Sequence, residues 1–340
     1  MSAQVILSLT KAITYPRTKD RRENMTKGKA NFIKIKNLLI LFIISFAICV
    51  PIRIYQYFTV IASGTGFYTS LNWAVYALYG ALAFFSLVFI VCTYLSAEAV
   101  ESKMPKGKNK VLGIVAIIFA ICFIFDAIRQ ISASVFAFIG YSSGSIRPGI
   151  WNYIIQNGYI PVILQALFAL CASIYLIVFG ISYLNGKNTF EDSKLLALGP
   201  MLWAVSRMVA NLMKPISYQK VSELLLELFA LAFLTITFLS FARVSSQLSE
   251  KGEMRKLFAF GFPAALFCLV CSVPRLAMTV IGQSSKLAEG YSFDPALLGA
   301  AAFILVFIGV AMYMGNRELP EDLQEQEIDN IIDDDFLSDI

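Results

Sequence analysis

Long apolar stretches alternate with short polar ones along this chain, at roughly residues 37–58, 72–96, 111–137, 159–184, 195–213, 221–242, 257–281 and 295–315. Each is long enough to cross a hydrocarbon core as a helix, which takes about 20 residues for a thickness of roughly 30 Å. None alternates polar and apolar positions over about ten residues, as the strands of a membrane β-barrel do. Helices are also the form in which a lone span satisfies its own backbone groups in lipid. The pattern predicts an all-α, polytopic integral membrane bundle of about eight transmembrane helices over 37–315. A basic arm, 1–36, precedes it and an acidic tail, 316–340, follows it. The start of the fourth span is the least clear, because Asn157, Gly158 and Pro161 crowd it, and residues 132–159 leave room for a short interfacial or re-entrant segment. The first 36 residues show no signal-peptide pattern; residues 1–24 look unlike the rest, and Met25, which opens a more ordinary membrane-protein start, MTKGKANFIKIKN, is a candidate initiator.

Charge gives the spans a direction. Of the 28 Lys and Arg, 20 fall in the N-terminal arm, in the loops after even-numbered spans, or just past the last span. The positive-inside rule then places both termini in the cytoplasm, with the plasma membrane as the expected location. The arm carries a net charge of +7 and the tail −9. A basic juxtamembrane arm is drawn to anionic lipid heads by about 1 kcal/mol per residue. The tail reads as a solvated, disordered end. Its apolar residues, in IDNIIDDDFLSDI, also suit a docking motif for a cytosolic protein or for the basic arm.

Composition confirms the class: 58% of residues are hydrophobic and only 15% charged, where a soluble chain carries about 25%. The few charges inside the spans therefore stand out. Each odd-numbered span carries one arginine near its outer end: Arg53, Arg129, Arg207 and Arg275. Even-numbered spans hold no basic residue in their interiors. In two copies a Cys lies four residues before the Arg and a Pro between them, Cys49–Pro51–Arg53 and Cys271–Pro274–Arg275. The spacing suggests four repeated two-helix hairpins, 37–96, 111–184, 195–242 and 257–315. At 1.5 Å per residue, Arg53 lies about 25 Å above Lys36, Arg129 and Arg275 about 28 Å above Lys110 and Lys256, and Arg207 about 20 Å above Lys194.

Carboxylates fall at matching heights and are the expected ion-pair partners: Asp126, one turn before Arg129, and Glu223 and Glu227 on the sixth span. Arg207 and Glu227, on consecutive spans, are expected to meet. Pro51 and Pro274 are expected to kink their helices, each freeing the carbonyl four residues earlier, that of Ala47 or Val270. Charges at this depth cost about 2.5–3.5 kcal/mol each near the helix centre, so they should face the bundle interior. Four arginines against three acids leave a positive surplus, which suits phosphate or carboxylate. Arg53, Arg129 and Arg275 are therefore expected to converge on one outward cavity. A plainer role, snorkelling to outer phosphates, competes with this. The aromatic residues Tyr55, Tyr57, Phe67, Tyr68, Trp73, Trp151, Tyr153 and Tyr159 read as an interfacial belt.

Much chemistry has no residues to support it. The chain has no histidine, no phosphate-binding glycine loop and no nucleophile elbow. No catalytic residue, cofactor or metal site is assigned. The six cysteines all lie in apolar runs and read as small buried hydrophobes, the Cys268–Cys271 spacing included. Nucleic acid is not an expected partner; membrane lipids are. The leading expectation is a transporter, flippase-like protein or receptor for an anionic or lipid-linked substrate bound near Arg53, Arg129, Arg207 and Arg275. The alternative is a non-catalytic scaffold or sensor subunit that recruits a cytosolic partner through the acidic tail, and an enzyme acting on a lipid phosphate ranks third.

Overall fold

The computed structural model describes residues 35–62, 68–70, 72–96, 104–105, 107–142, 159–186, 194–213, 221–247, 252–288 and 291–314. The N-terminal arm and the acidic tail lie outside these residues, as does any segment over 143–158. Eight helices are long and apolar enough to cross a membrane. They are α1 (Ile35–Thr59), α2 (Trp73–Leu95), α3 (Lys110–Ser142), α4 (Tyr159–Asn185), α5 (Gly199–Met213), α6 (Val221–Ser245), α7 (Glu253–Val280) and α8 (Pro295–Met314). Short 3-10 turns at Leu196–Leu198 and Ser284–Lys286 precede α5 and follow α7. Among the described residues the chain is otherwise irregular, apart from an isolated bridge between Ile61 and Tyr68. The expected spans hold to within a few residues, and α3 runs on past its expected end. Pro161 does not break α4, because it lies in the first turn, where the missing N–H would have no helical partner anyway.

Each odd-numbered helix packs on the even-numbered helix after it, and α7 is the hub, touching α1, α2, α6 and α8. Burial agrees: in an 18-residue window of each helix, 83% of α7 is buried, against 33% of α1 and of α2. The peripheral helices turn Ile, Leu and Phe outward, among them Ile43, Phe84, Ile121 and Leu167. In lipid this is the expected exterior, since apolar side chains are as well solvated there as in the core.

Close backbone contact holds α3 to α4. A Cβ built on Gly113 would lie 2.8 Å from the Gly180 carbonyl oxygen, and one on Gly180 would lie 2.7 Å from Ile117. Only glycine allows that approach, and small residues at such crossings are what let membrane helices pack without a hydrophobic driving force. Gly199 does the same at the start of α5, where a Cβ would be 2.8 Å from the Ala172 nitrogen of α4. Gly180→Val is thus expected to force α3 and α4 apart and cost about 1–3 kcal/mol. Loss of the monodisperse peak on heating in detergent, at a lower temperature than for the native chain, measures it.

Deeper in the bundle the core is aromatic. Phe241 meets Phe179 at 5.5 Å and Phe303 at 5.3 Å, and Phe303 meets Phe119 at 5.5 Å. Phe123 stands edge-on to Trp203 at 4.8 Å. That contact ties the apolar core to the polar layer above it.

Candidate functional site: a ladder of alternating charges

Odd-numbered helices end where even-numbered helices begin, so residues late in α1, α3, α5 and α7 share a level with residues early in α6 and α8. At that level eight acidic and basic side chains form one unbroken series. Arg53 of α1 donates to Glu223 of α6. Arg275 of α7 donates to the other oxygen of Glu223 at 2.8 Å and reaches Glu227 at 3.4 Å. Glu227 also accepts from Arg207 of α5, at 3.0 Å from Nε and 2.7 Å from Nη2. Arg207 Nη2 continues to Asp294, just before α8. Asp294 lies 3.6 Å from Arg129 of α3, and Arg129 donates to Asp126 at 3.0 Å. The signs alternate from Arg53 to Asp126 without a gap.

Neutral groups complete the ladder. Tyr57 donates to Glu223 at 2.5 Å, and Asn211 to Glu227 at 3.1 Å. Trp203 Nε1 and Gln165 Nε2 donate to Asp126 at 2.9 and 3.1 Å. Gln56 accepts from Arg53 at 2.8 Å and is itself oriented by its donation to the Ala74 carbonyl at 2.8 Å. Three guanidiniums also lie over aromatic rings: Arg53 on Tyr57 at 4.9 Å, Arg207 on Trp203 at 5.5 Å and Arg275 on Tyr291 at 5.0 Å. Such stacking adds attraction where water is excluded.

Seven of the eight charges are buried. Arg129 differs, with a third of its side chain exposed. Within the ladder one donor is unmatched: Arg207 Nη1 is buried and has no hydrogen-bond partner. Asp294 has two tasks. Its Oδ1 accepts from the Ala296 N–H and caps α8, at 3.0 Å, while Oδ2 faces Arg207 and Arg129. Burial on its own would raise the Asp294 carboxyl, but the neighbouring Arg207 and Arg129 outweigh it and hold the group well below the usual carboxylate range.

The ladder revises the expected site in three ways. All four arginines and the acids Asp126, Glu223 and Glu227 are in it, but among the described residues the ladder has no positive surplus, since Asp294 makes four acids against four bases. Arg53, Arg129 and Arg275 do not share one partner: Arg53 and Arg275 meet on Glu223, whereas Glu227, Arg207 and Asp294 separate Arg129 from them. Arg207 and Glu227 do meet, but not as an isolated pair, because each has a second ionic partner. Part of the expected aromatic belt also moves inward. Trp73 and Tyr55 are exposed and lie 5.9 Å apart, while Tyr57 is buried against Glu223. Phe67, Trp151 and Tyr153 lie outside the described residues.

Pro51 and Pro274 stand inside α1 and α7, two residues and one residue before their arginines, and α7 also contains Pro263, which the sequence reading passed over. All six cysteines are free thiols. Among the described residues no cluster of His, Cys, Asp and Glu has the makings of a metal site. Glu223, Glu227 and Asp294 are each spoken for by guanidinium groups.

No protein-family model, curated protein or solved structure matches this chain.

Proposed function

We propose that this multi-pass membrane protein is a transporter or flippase-like protein, and that it handles the charged group of an anionic or lipid-linked substrate at the ladder. The observation that carries this reading is the unbroken alternation of eight charges across six helices, α1, α3, α5, α6, α7 and the start of α8. Ionisable groups within the span are costly, pair with one another and are characteristic of substrate and ion pathways. As a device for stability alone the ladder is a poor choice, because buried ion pairs barely repay their desolvation. As a device for switching it is a good one. Arg207 and Arg129 each hold a second carboxylate besides Asp294, Glu227 and Asp126 respectively, so both keep a counter-ion if Asp294 gives way to another oxyanion. The prolines beside Arg53 and Arg275 give α1 and α7 a point at which to bend, a feature of helices that line transport sites.

The basic asymmetry of the loops orients the ladder toward the outside, with both termini in the cytoplasm. Cysteines introduced at Ser143 or Gly290 should then react with an impermeant reagent added outside, and cysteines at Lys106 or Asp329 should not. The opposite labelling would turn the site to face the cytoplasm.

Transport itself is tested in proteoliposomes, by flipping of a fluorescent anionic lipid and uptake of labelled organic anions. The native chain should accelerate one of these. Arg129→Gln, which changes the partly exposed end of the ladder, should slow it several-fold, with a thermal melt of the same preparation to separate this from lost folding. If no substrate moves faster than in empty vesicles, the transport reading fails. The complete pairing of the ladder would then favour a scaffold or sensor, for which deleting residues 319–340 should abolish capture of a cytosolic partner.

A further inference from the structure

The series of charges has a weak point, and it lies at Asp294. Seven members of the ladder project from helices, but Asp294 precedes α8 and reaches the ladder from a connecting segment. Its Oδ2 occupies the space between Arg207 Nη2 and Arg129 Nη2. Beside it is Arg207 Nη1, buried and without a partner, on a side chain only 7% exposed. Arg129 makes this the more exposed end of the ladder, since its side chain is 33% exposed while that of Arg53, at the other end, is 1% exposed.

We propose that Asp294 is a built-in stand-in for substrate, and that the groups around it form a seat for a phosphate-type oxyanion. This rests on the transport reading and names the chemistry of its substrate. Remove the Asp294 carboxylate and three kinds of donor converge on the vacated space. Arg207 offers Nη2 together with the unmatched Nη1. Arg129 offers Nη2, which already spans 3.0 Å to Asp126 and 3.6 Å to Asp294. The Ala296 N–H, now capped at 3.0 Å by Asp294 Oδ1, becomes free at the N-terminus of a twenty-residue helix. Backbone N–H groups at a helix N-terminus suit an anion, and guanidinium groups suit one with several coplanar or tetrahedral oxygens. A carboxylate has two oxygens to share among these donors, and Asp294 uses one for the helix cap. A phosphate monoester has three terminal oxygens, enough to satisfy Arg207 Nη1 as well.

Charge bookkeeping supports exchange rather than addition. With Asp294 in place the ladder is neutral, so a second anion in the seat would meet Glu227 and Asp126 with no surplus positive charge to hold it. Substrate binding is therefore coupled to withdrawal of Asp294 and to loss of its cap on α8. The native protein binds the oxyanion in competition with its own carboxylate, and Asp294→Asn, which keeps the side chain but loses its charge, competes less.

The test uses purified full-length protein in detergent and follows thermal unfolding against inorganic phosphate, with sodium chloride at matched ionic strength as the control. Asp294→Asn should be stabilised by phosphate at concentrations at least about tenfold lower than the native chain needs. Adding Arg129→Gln to Asp294→Asn should remove most of that gain. Phosphatidic acid in nanodiscs, compared with phosphatidylcholine, separates a lipid headgroup from a free phosphate as the source. Equal response of Asp294→Asn to phosphate and chloride would overturn the seat. If Asp294→Asn can be purified only with phosphate present, that rescue supports the seat. If it cannot be purified at all, Arg129→Ala decides: phosphate should stabilise it much less than the native chain, and an equal effect overturns the proposal. Phosphate-specific stabilisation without any flux in proteoliposomes would keep the seat and end the transport reading. Flux without such stabilisation would do the reverse.

Discussion

Glu223→Gln should remove about 3–5 kcal/mol of stability, enough to lower the yield of folded protein sharply. Glu223 is the single carboxylate between two buried guanidiniums, with Arg53 on one oxygen and Arg275 on the other, and Tyr57 donating to it as well. Gln keeps the shape and loses the charge. Arg275 then retains Glu227 at 3.4 Å, but Arg53 is left with Gln56 at 2.8 Å and Tyr68 at 3.3 Å, neither of which is a carboxylate. An uncompensated guanidinium in a low-dielectric layer is what makes such changes severe. The remedy is equally specific: adding Arg53→Gln should recover part of the loss, although it removes a further ion. Thermal melts of the native, single and double variants in one detergent measure both effects. A double variant no better than Glu223→Gln would mean that Arg53 and Glu223 are not energetically coupled.

The second large effect is at the middle of the ladder. Arg207→Gln alone leaves Glu227 and Asp294 without the guanidinium between them, and Glu227→Gln alone leaves Arg207 and Arg275 short of their common acceptor. Each should cost about 3–5 kcal/mol. The double variant removes one charge of each sign and keeps the layer neutral, so it should lose less than the two singles together, with a coupling of about 1–3 kcal/mol. Coupling should be incomplete. Removing both divides the ladder into Arg53–Glu223–Arg275, with one positive charge to spare, and Asp294–Arg129–Asp126, with one negative. By contrast, Arg129→Gln should cost less than either single change, because its own side chain is a third exposed and the buried Asp126 keeps the neutral donors Trp203 and Gln165 while Asp294 keeps Arg207. Strictly additive losses for Arg207 and Glu227 would contradict a continuous ladder.

What the sequence made visible, and what it hid, follows from two kinds of information. The helices could be read directly, because a span declares itself by length and apolarity along the chain. The four arginines, Asp126, Glu223 and Glu227 could be read too, since any charge in such a run is conspicuous and its height can be counted from the nearest loop. Neighbour relations were hidden. Nothing local says that Arg53 belongs to Glu223, 170 residues away, or that α7 is the hub. Asp294 was missed for a different reason. It lies just outside an apolar run and resembles an ordinary loop residue in YSFDPALL. Its Asp-Pro pair was nonetheless a readable signal, because Asp is a favoured N-cap and Pro a favoured first helical residue, and an N-cap on an even-numbered helix falls at the level of the arginines. Gln56, Gln165, Trp203 and Asn211 could have been found by listing every polar side chain at that height. Their hydrogen bonds could not, since those depend on which helices pack together.

The most direct test of whether the ladder is a working site or a fixed clamp is a distance measured across it. Arg53 and Asp126 end the series on α1 and α3, so spin labels on outward-facing positions at the same level, Thr59→Cys on α1 and Ile160→Cys on α4, span it. A background in which the six native cysteines are replaced keeps the labelling specific. Pulsed dipolar spectroscopy in nanodiscs should give two distances, with the longer one gaining population when inorganic phosphate or phosphatidic acid is added and in the Asp294→Asn variant. A single narrow distance, unchanged by ligand and by Asp294→Asn, would contradict a switching site and leave the eight charges as a static brace.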